Sequence, residues 1–320
     1  MSSQRVHASE QTAWVAAPAG VVYGLLADAV RWPLLLPSPV HVERMDFDGE
    51  HERLRLWDVA GDRVRSFHVR RVLRPHARAV DFEQEDTARL GAPVSGTWSV
   101  EPDGDAGSLV TLSQRRTLIG LPAAESERSQ REWRAELDAQ LAHLKETAER
   151  WQRMDGLLFS FEDSVHVQGS AELVYDFLYR IGDWSESVPH VEWSSVIEDV
   201  PGVQVAVVDT CAAPGGRTVS TRAVRLCFPS AGRIVYKELV TPEPIAAHSG
   251  EWSLVPDEDG VRVVCAQQVM LSEEAVGRVL GEGTSLAEAR RYVRGWLGRA
   301  SEEVLGLAKW HAQSAVRRLR

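Results

Sequence analysis

Cysteine is nearly absent from this 320-residue chain: the three present, Cys211, Cys227 and Cys265, all fall in the second half without metal-ligand spacing. That excludes a disulfide scaffold and a zinc ribbon. It suits reduced thiols acting as small apolar side chains in a cytoplasmic protein. No apolar run is long enough to span a membrane, and Met1-Ser2-Ser3-Gln4-Arg5 lacks the apolar core of a signal peptide. Positive charge is in deficit, with 36 Lys and Arg against 46 Asp and Glu, so a general nucleic-acid binder is disfavoured. His41, His190 and His248 are too scattered for a metal constellation, and no Ser-His-Asp or Cys-His set is visible.

What is present is a duplication. In the first half an early strand at Gln11 to Val15 leads into a short helix over Ala17 to Leu26, then Trp32-Pro33 and Pro37. In the second half Phe159 to Val167 leads into Gly169 to Leu178, then Trp184 and Pro189. The strands Arg78 to Gln84 and Arg233 to Leu239 correspond, with Phe82 matching Tyr236. Gly96-Thr97-Trp98-Ser99 corresponds to Gly250-Glu251-Trp252-Ser253. Each is followed by Pro-Asp, a turn and a last strand, which is hairpin chemistry. Each half closes on a long amphipathic helix, one with the stripe Trp133, Leu137, Leu141, Leu144, Ala148 and Trp151, the other with Tyr292, Trp296, Ala300, Val304, Leu307 and Trp310. The order predicts α+β architecture, with antiparallel strands and segregated helices. The boundary falls at Met154-Asp155-Gly156, giving domains 1–154 and 155–320.

Two strands carry a chemical oddity. In Arg63 to Leu73, alternation places Phe67, Val69, Arg71 and Leu73 on one face, with His68 on the other. In Thr218 to Cys227 it places Arg225 with Val219, Thr221, Ala223 and Cys227. A lone arginine on an inward apolar face is costly unless something anionic or strongly polar meets it. Either arginine serves a ligand, or it pairs with a buried carboxylate and is structural. Trp98 and Trp252 read as core, since large aromatics usually supply packing area. Gln114 and Gln267, on the last strands, are either pocket donors or solvated strand ends; Gln140 lies beside the helix stripe.

The Ala-Pro-Ala-Gly-Val-Val-Tyr segment (17 to 23), Trp32-Pro33, the arginine strand, Gly-x-Trp-Ser and the terminal helix together resemble the helix-grip fold of the START and birch-pollen-allergen superfamily. Within it they look like the polyketide aromatase/cyclases of bacterial type II synthases, and two such halves look like the di-domain members. The resemblance implies two tandem domains, each a curved antiparallel sheet around a long C-terminal helix enclosing a pocket. It implies first-ring aldol cyclisation, typically C7–C12, and aromatisation of a ketoreduced poly-β-ketone on an acyl carrier protein, beside other synthase subunits and without a cofactor. It implies catalytic roles for Arg71 and Arg225, and substrate contacts from Trp32, Phe67, Val69, Phe82, Gln114 and Gln140 in the first half and Trp184, Thr221, Tyr236 and Gln267 in the second. The sequence departs from the family at Pro39 and Val191, where single-domain relatives often carry tyrosine, and at Val69 and Ala223, where relatives can carry a hydroxyl.

An arginine stays protonated and offers a planar fork of donors to an oxyanion, so it suits enolate or alkoxide stabilisation and not general-base work. The base is left open between water, a histidine and the acidity of the substrate's own methylene. The more apolar surround of Arg71 inclines the reading toward catalysis in the first half. A ligand carrier of the same fold and a synthase scaffold are the alternatives from other functional classes. For carrier docking the basic candidates are Arg290, Arg291, Arg294 and Arg299 and the tail from Arg317 to Arg320.

Overall fold

The computed structural model describes residues 4–61, 63–85, 94–119, 123–211 and 218–318. The chain divides into two compact units, 1–153 and 154–320. In the first unit β1 (Gln4–Val15) precedes α1 (Ala19–Ala27) and α2 (Trp32–Leu35). Six strands follow: β2 (Pro39–Phe47), β3 (His51–Ala60), β4 (Arg63–Arg74), β5 (Ala79–Gln84), β6 (Val94–Asp103) and β7 (Gly107–Ile119). The unit ends with α3 (Ala123–Glu149). All seven strands form one antiparallel sheet in the order β1-β7-β6-β5-β4-β3-β2. The chain thus runs as a meander from β2 to β7 and closes β7 against the first strand.

The second unit repeats the plan. The short α4 (Trp151–Leu157) leads into β8 (Leu158–Val167), then α5 (Ala171–Tyr179) and α6 (Trp184–Ser187). After these come β9 (Val191–Val200), β10 (Val203–Cys211), β11 (Thr218–Phe228), β12 (Arg233–Val240), β13 (Ile245–Asp257), β14 (Gly260–Leu271), α7 (Glu273–Leu280) and α8 (Leu286–Arg318). The sheet order is β8-β14-β13-β12-β11-β10-β9, position for position that of the first unit. The helix starts differ in detail. Pro18 precedes α1, where a missing N–H costs nothing, whereas the Ser170 hydroxyl accepts from the Glu172 amide at 3.2 Å to cap α5.

In the first unit the apolar stripe of α3 is Trp133, Leu137, Leu141, Leu144 and Ala148, all buried. Leu141, Leu144 and Ala148 pack against Val15, Val22, Leu26, Val80, Val100 and Val110. At roughly 1.5–3 kcal/mol for each large side chain removed from water, this seam holds the helix to the sheet. In α8 the buried stripe runs through Ala289, Val293, Val304, Leu305, Ala308 and Ala312, whereas Tyr292 and Trp310 are 52% and 65% exposed. Of the expected stripe Val304 is buried and Trp296, Ala300 and Leu307 are half-buried, while its two ends turn outward, because one residue is about 100° of helix rotation.

Candidate active site

In each sheet one residue from each of five adjacent strands forms a transverse row. Glu52 pairs across to Arg71, Arg71 to Phe82, Phe82 to Gly96 and Gly96 to Gln114. In the second unit the row is Gln204, Arg225, Tyr236, Gly250 and Gln267. The glycine is dictated by its neighbour. A Cβ on Gly96 would stand 2.7 Å from Cζ of Phe82, and one on Gly250 would stand 2.5 Å from the Tyr236 hydroxyl. Only glycine lets the ring lie over the adjacent strand.

Both arginines are buried, at 3% and 2% exposure, and both reach the end of the first helix of their unit. Arg71 Nη2 donates to the carbonyl of Leu26 at 2.5 Å and to that of Ala27 at 3.4 Å. Arg225 Nη2 donates to Leu178 O at 2.5 Å and Nη1 to Tyr179 O at 3.2 Å. A cation on the last carbonyls of a helix is favourable both by hydrogen bonding and by the helix dipole. The units then diverge. Arg71 Nη1 lies 3.1 Å from Oε1 of Glu52, a carboxylate with no side-chain exposure, which also meets Arg44 Nε at 3.0 Å. Arg225 Nη1 instead donates to the Gln204 amide oxygen at 2.6 Å; Gln204 passes its own N–H to Glu198 at 2.9 Å, and the Tyr179 hydroxyl donates to the same carboxylate at 2.6 Å. Burial lowers Arg71 to about 10 despite Glu52, and burial likewise lowers Arg225. A carboxylate balances the charge of Arg71 directly, while Arg225, among the described residues, meets neutral oxygens at first contact.

Each arginine sits in the wall of a cavity. That of the first unit, about 210 Å³, is lined by Trp32, Phe67, Val69, Arg71, Phe82, Gln114 and Gln140, with Trp98 and Pro39 also present. That of the second, about 370 Å³, is lined by Trp184, Thr221, Arg225, Tyr236 and Gln267, with Trp252 and Val191. Each residue given a catalytic or substrate-contact role by the resemblance thus lines the cavity of its own unit. Trp32 and Trp184 are fixed alike: each indole N–H donates to a carbonyl of the preceding helix, Leu25 at 2.9 Å and Phe177 at 3.2 Å. Trp32 also lies under the Arg71 guanidinium, 5.0 Å from it. Gln114 and Gln267 are buried pocket residues rather than strand ends; Gln114 Oε1 accepts from the Trp133 indole at 3.1 Å.

Sequence reasoning missed Glu52, Gln204 and Glu198, because β3, β9 and β10 were not resolved as separate strands. It weighed His248 only as a metal ligand. This imidazole is 3% exposed and lines the second cavity, with Nδ1 3.1 Å from Glu238 Oε1 and Nε2 3.1 Å from Gln267 Oε1. Period-two counting from Gly250 and Trp252 places His248 on the same face, and that was the available signal. Burial, the largest influence, opposes its charged form, but Glu238, by charge and hydrogen bond, and Gln267 outweigh it and raise the imidazole above its ordinary value. The three cysteines are buried thiols. Among the described residues no group of three or more His, Cys, Asp or Glu is placed to hold a metal, and no helix is long and apolar enough to cross a membrane.

A seven-stranded antiparallel sheet closed by a long helix over an arginine-walled cavity, built twice in one chain, is a duplicated helix-grip protein. The chain belongs to the polyketide cyclase/dehydrase and lipid transport family, whose profile matches residues 6–149 and again 159–305. It is 34% identical over 316 residues to the granaticin polyketide synthase bifunctional cyclase/dehydratase of Streptomyces violaceoruber, covering 98% of this chain and 97% of that one. It is 34% identical over 315 residues to the actinorhodin polyketide synthase bifunctional cyclase/dehydratase of Streptomyces coelicolor, covering 95% and 96%. Among solved structures it resembles the di-domain ARO/CYC BexL from the BE-7585A biosynthetic pathway, with TM-score 0.85, 36% identity and coverage of 96% and 98%. It also resembles the di-domain ARO/CYC StfQ from the steffimycin pathway, with TM-score 0.81, 30% identity and coverage of 96% and 99%.

Proposed function

We propose that this enzyme, a polyketide cyclase/dehydratase, closes the first ring of a ketoreduced poly-β-ketone between C7 and C12 and dehydrates that ring to an aromatic one. The observation that carries this reading is an arginine buried in the wall of an otherwise mostly apolar cavity, present at the same sheet position in both units. Full-length relatives named as cyclase/dehydratases support it. A poly-β-ketone is flexible and condenses many ways unaided, so the protein must impose one fold and stabilise developing negative charge. Trp32, Phe67, Val69 and Phe82, with Gln114 and Gln140, supply the shape and the donors in one cavity. Trp184, Thr221, Tyr236 and Gln267 supply them in the other. In aldol closure a methylene loses a proton, its carbon bonds to a ketone carbon, and the carbonyl oxygen becomes an alkoxide that is then protonated. A guanidinium is matched to that oxygen.

An acyl carrier protein delivers the chain in this proposal, within a synthase of several subunits and in the cytoplasm, where buried thiols stay reduced. The basic candidates for its docking differ in how far they are engaged within the chain. Arg294 is engaged by the buried Asp163 at 2.5 Å, and Arg290 donates to the Asp155 carbonyl and covers Phe159. Arg291 is left on α8 for the carrier and Arg299 stands at the cavity wall, while the side chains of the tail arginines lie outside the described residues.

The test is reconstitution of a minimal synthase and ketoreductase with and without this protein, reading the product spectrum. A shift from shunt products to one aromatised ring is expected. An unchanged spectrum would leave a carrier or scaffold in its place.

A further inference from the structure

The second cavity holds an imidazole and a carboxylate paired on adjacent strands, whereas the first is lined by His143 from α3 and Asp58 from β3. Beyond the Lys237–Ser249 pair of the β12–β13 ladder, Glu238 and His248 face the cavity together, with Nδ1 to Oε1 at 3.1 Å. The imidazole stands edge-on to Tyr236, ring centroids 5.5 Å apart, and its other nitrogen is 3.1 Å from Gln267. Two residues beyond Phe82 and two before Gly96, the first unit has Gln84 and Val94, neither of which ionises near neutrality. The arginine of the second cavity has no carboxylate in direct contact among the described residues.

We propose that His248, held by Glu238, is the acid–base catalytic residue of the second cavity, and that dehydration of the closed ring takes place there. This rests on the cyclase/dehydratase reading. With Nδ1–H on the Glu238 carboxylate, neutral imidazole takes a proton at Nε2, in exchange for its contact with Gln267, from the ring carbon next to the carbinol. The resulting imidazolium, stabilised by the Glu238 carboxylate, gives that proton to the departing hydroxyl. A carbon–carbon double bond forms as the carbon–oxygen bond breaks, one water leaves, and histidine returns to its starting state. Arg225, in the same wall, is placed to stabilise the enolate between the two proton transfers. Other titratable and charged groups around this cavity are Cys211 from β10, Tyr236 from β12, Cys265 from β14, Arg299 and Glu303 from α8, and His190, whose Nδ1 meets Glu303 at 2.5 Å. Glu238 is the carboxylate paired with the His248 ring.

The experiment uses the full chain in the reconstituted synthase with ketoreductase, comparing wild type, His248→Gln and Glu238→Gln. With wild type redirecting the spectrum, His248→Gln is expected to keep the position of ring closure but accumulate the closed, undehydrated alcohol, with aromatised product down about 10²-fold or more. Glu238→Gln is expected to fold and to move the rising limb of the pH–rate profile downward by about one pH unit, since the carboxylate that holds up the imidazole is gone. Aromatised product at wild-type level from His248→Gln, or an unmoved limb in Glu238→Gln, overturns the assignment. A wild type that leaves the spectrum unchanged overturns the cyclase reading itself and this proposal with it.

Discussion

Glu52 stands directly across the β3–β4 pair from Arg71, and Gln204 stands at the same position across from Arg225. One exchange of oxygen for nitrogen separates a neutralised arginine from one that keeps its charge toward the cavity. In the first unit the pair is nearly solvent-free, with side-chain exposures of 2% and 0%. Breaking such a pair by removing one partner leaves an unbalanced charge in the protein and typically costs roughly 3–5 kcal/mol, whereas replacing both by apolar groups is often neutral. Glu52→Ala is therefore expected to lower the unfolding free energy of the first unit by about that amount. Glu52→Leu with Arg71→Met is expected to recover most of it. Urea denaturation, fitted for separate transitions, reads both; a double variant as weak as the single would show that the pair is not an energetic unit.

Arg225 holds three acceptors at once: Leu178 O, Tyr179 O and Gln204 Oε1. A lysine keeps the charge but not the fork, so it cannot bridge the helix end and the neighbouring strand together. Arg225→Lys is expected to weaken the second unit by about 1–3 kcal/mol, the cost of leaving buried carbonyls short of donors, and to return shunt products to the mixture. Melting curves and product analysis on the same preparation check it. Undisturbed stability would mean that the fork is not what ties α5 to the sheet.

The glycine in each row makes a separate claim about cavity shape. A methyl on Gly250 would meet the Tyr236 hydroxyl at 2.5 Å and the backbone oxygen of Ala266 at 2.5 Å. The tyrosine can swing away, but the carbonyl cannot. Gly250→Ala is expected to cost roughly 1–3 kcal/mol as an overpacking change. Adding Tyr236→Ala should return only part of it, because the carbonyl clash persists. Thermal midpoints of the single and double variants decide; full rescue would assign the whole strain to the ring.

How much of this was legible beforehand follows from what alternation and repetition encode. Arg71 and Arg225 were readable because each is a lone cation on an apolar face, and Phe82 with Tyr236 because the two halves align. Glu52 was not, because it precedes Arg53, Leu54 and Arg55 in a strand rich in charge, where one buried carboxylate looks like its solvated neighbours. Gln204 sits among valines in a strand whose alternation carries no chemical signal. His248 follows two alanines and precedes Ser-Gly, so only period-two counting from Gly250 and Trp252 marks its face. Its partner Glu238 is ten residues upstream on a different strand, and only the β12–β13 register brings them together. Tyr292 and Trp310 misled in the opposite direction, because aromatic residues drew the helix stripe toward a face that is exposed.

The His248–Glu238 pair also makes stability depend on pH, with a sign that can be worked out. Burial, the largest influence, lowers the imidazole, but Glu238 and Gln267 prevail and raise it above the ordinary 6.5. The folded state therefore binds a proton that the unfolded chain has released, and that contribution is fully present below 6.5 and disappears as pH rises through the folded value. Lys237, on the adjacent strand position, works the other way: burial lowers it from 10.5 to about 7, so stability gained from this group rises across that interval. A single wild-type profile mixes the two slopes. The difference between wild type and His248→Gln isolates the first, since Lys237 is common to both. Urea midpoints of both proteins from about pH 6 to about pH 9 are expected to converge as pH rises. A gap that stays constant over that range would mean that the imidazole does not hold an extra proton in the folded protein.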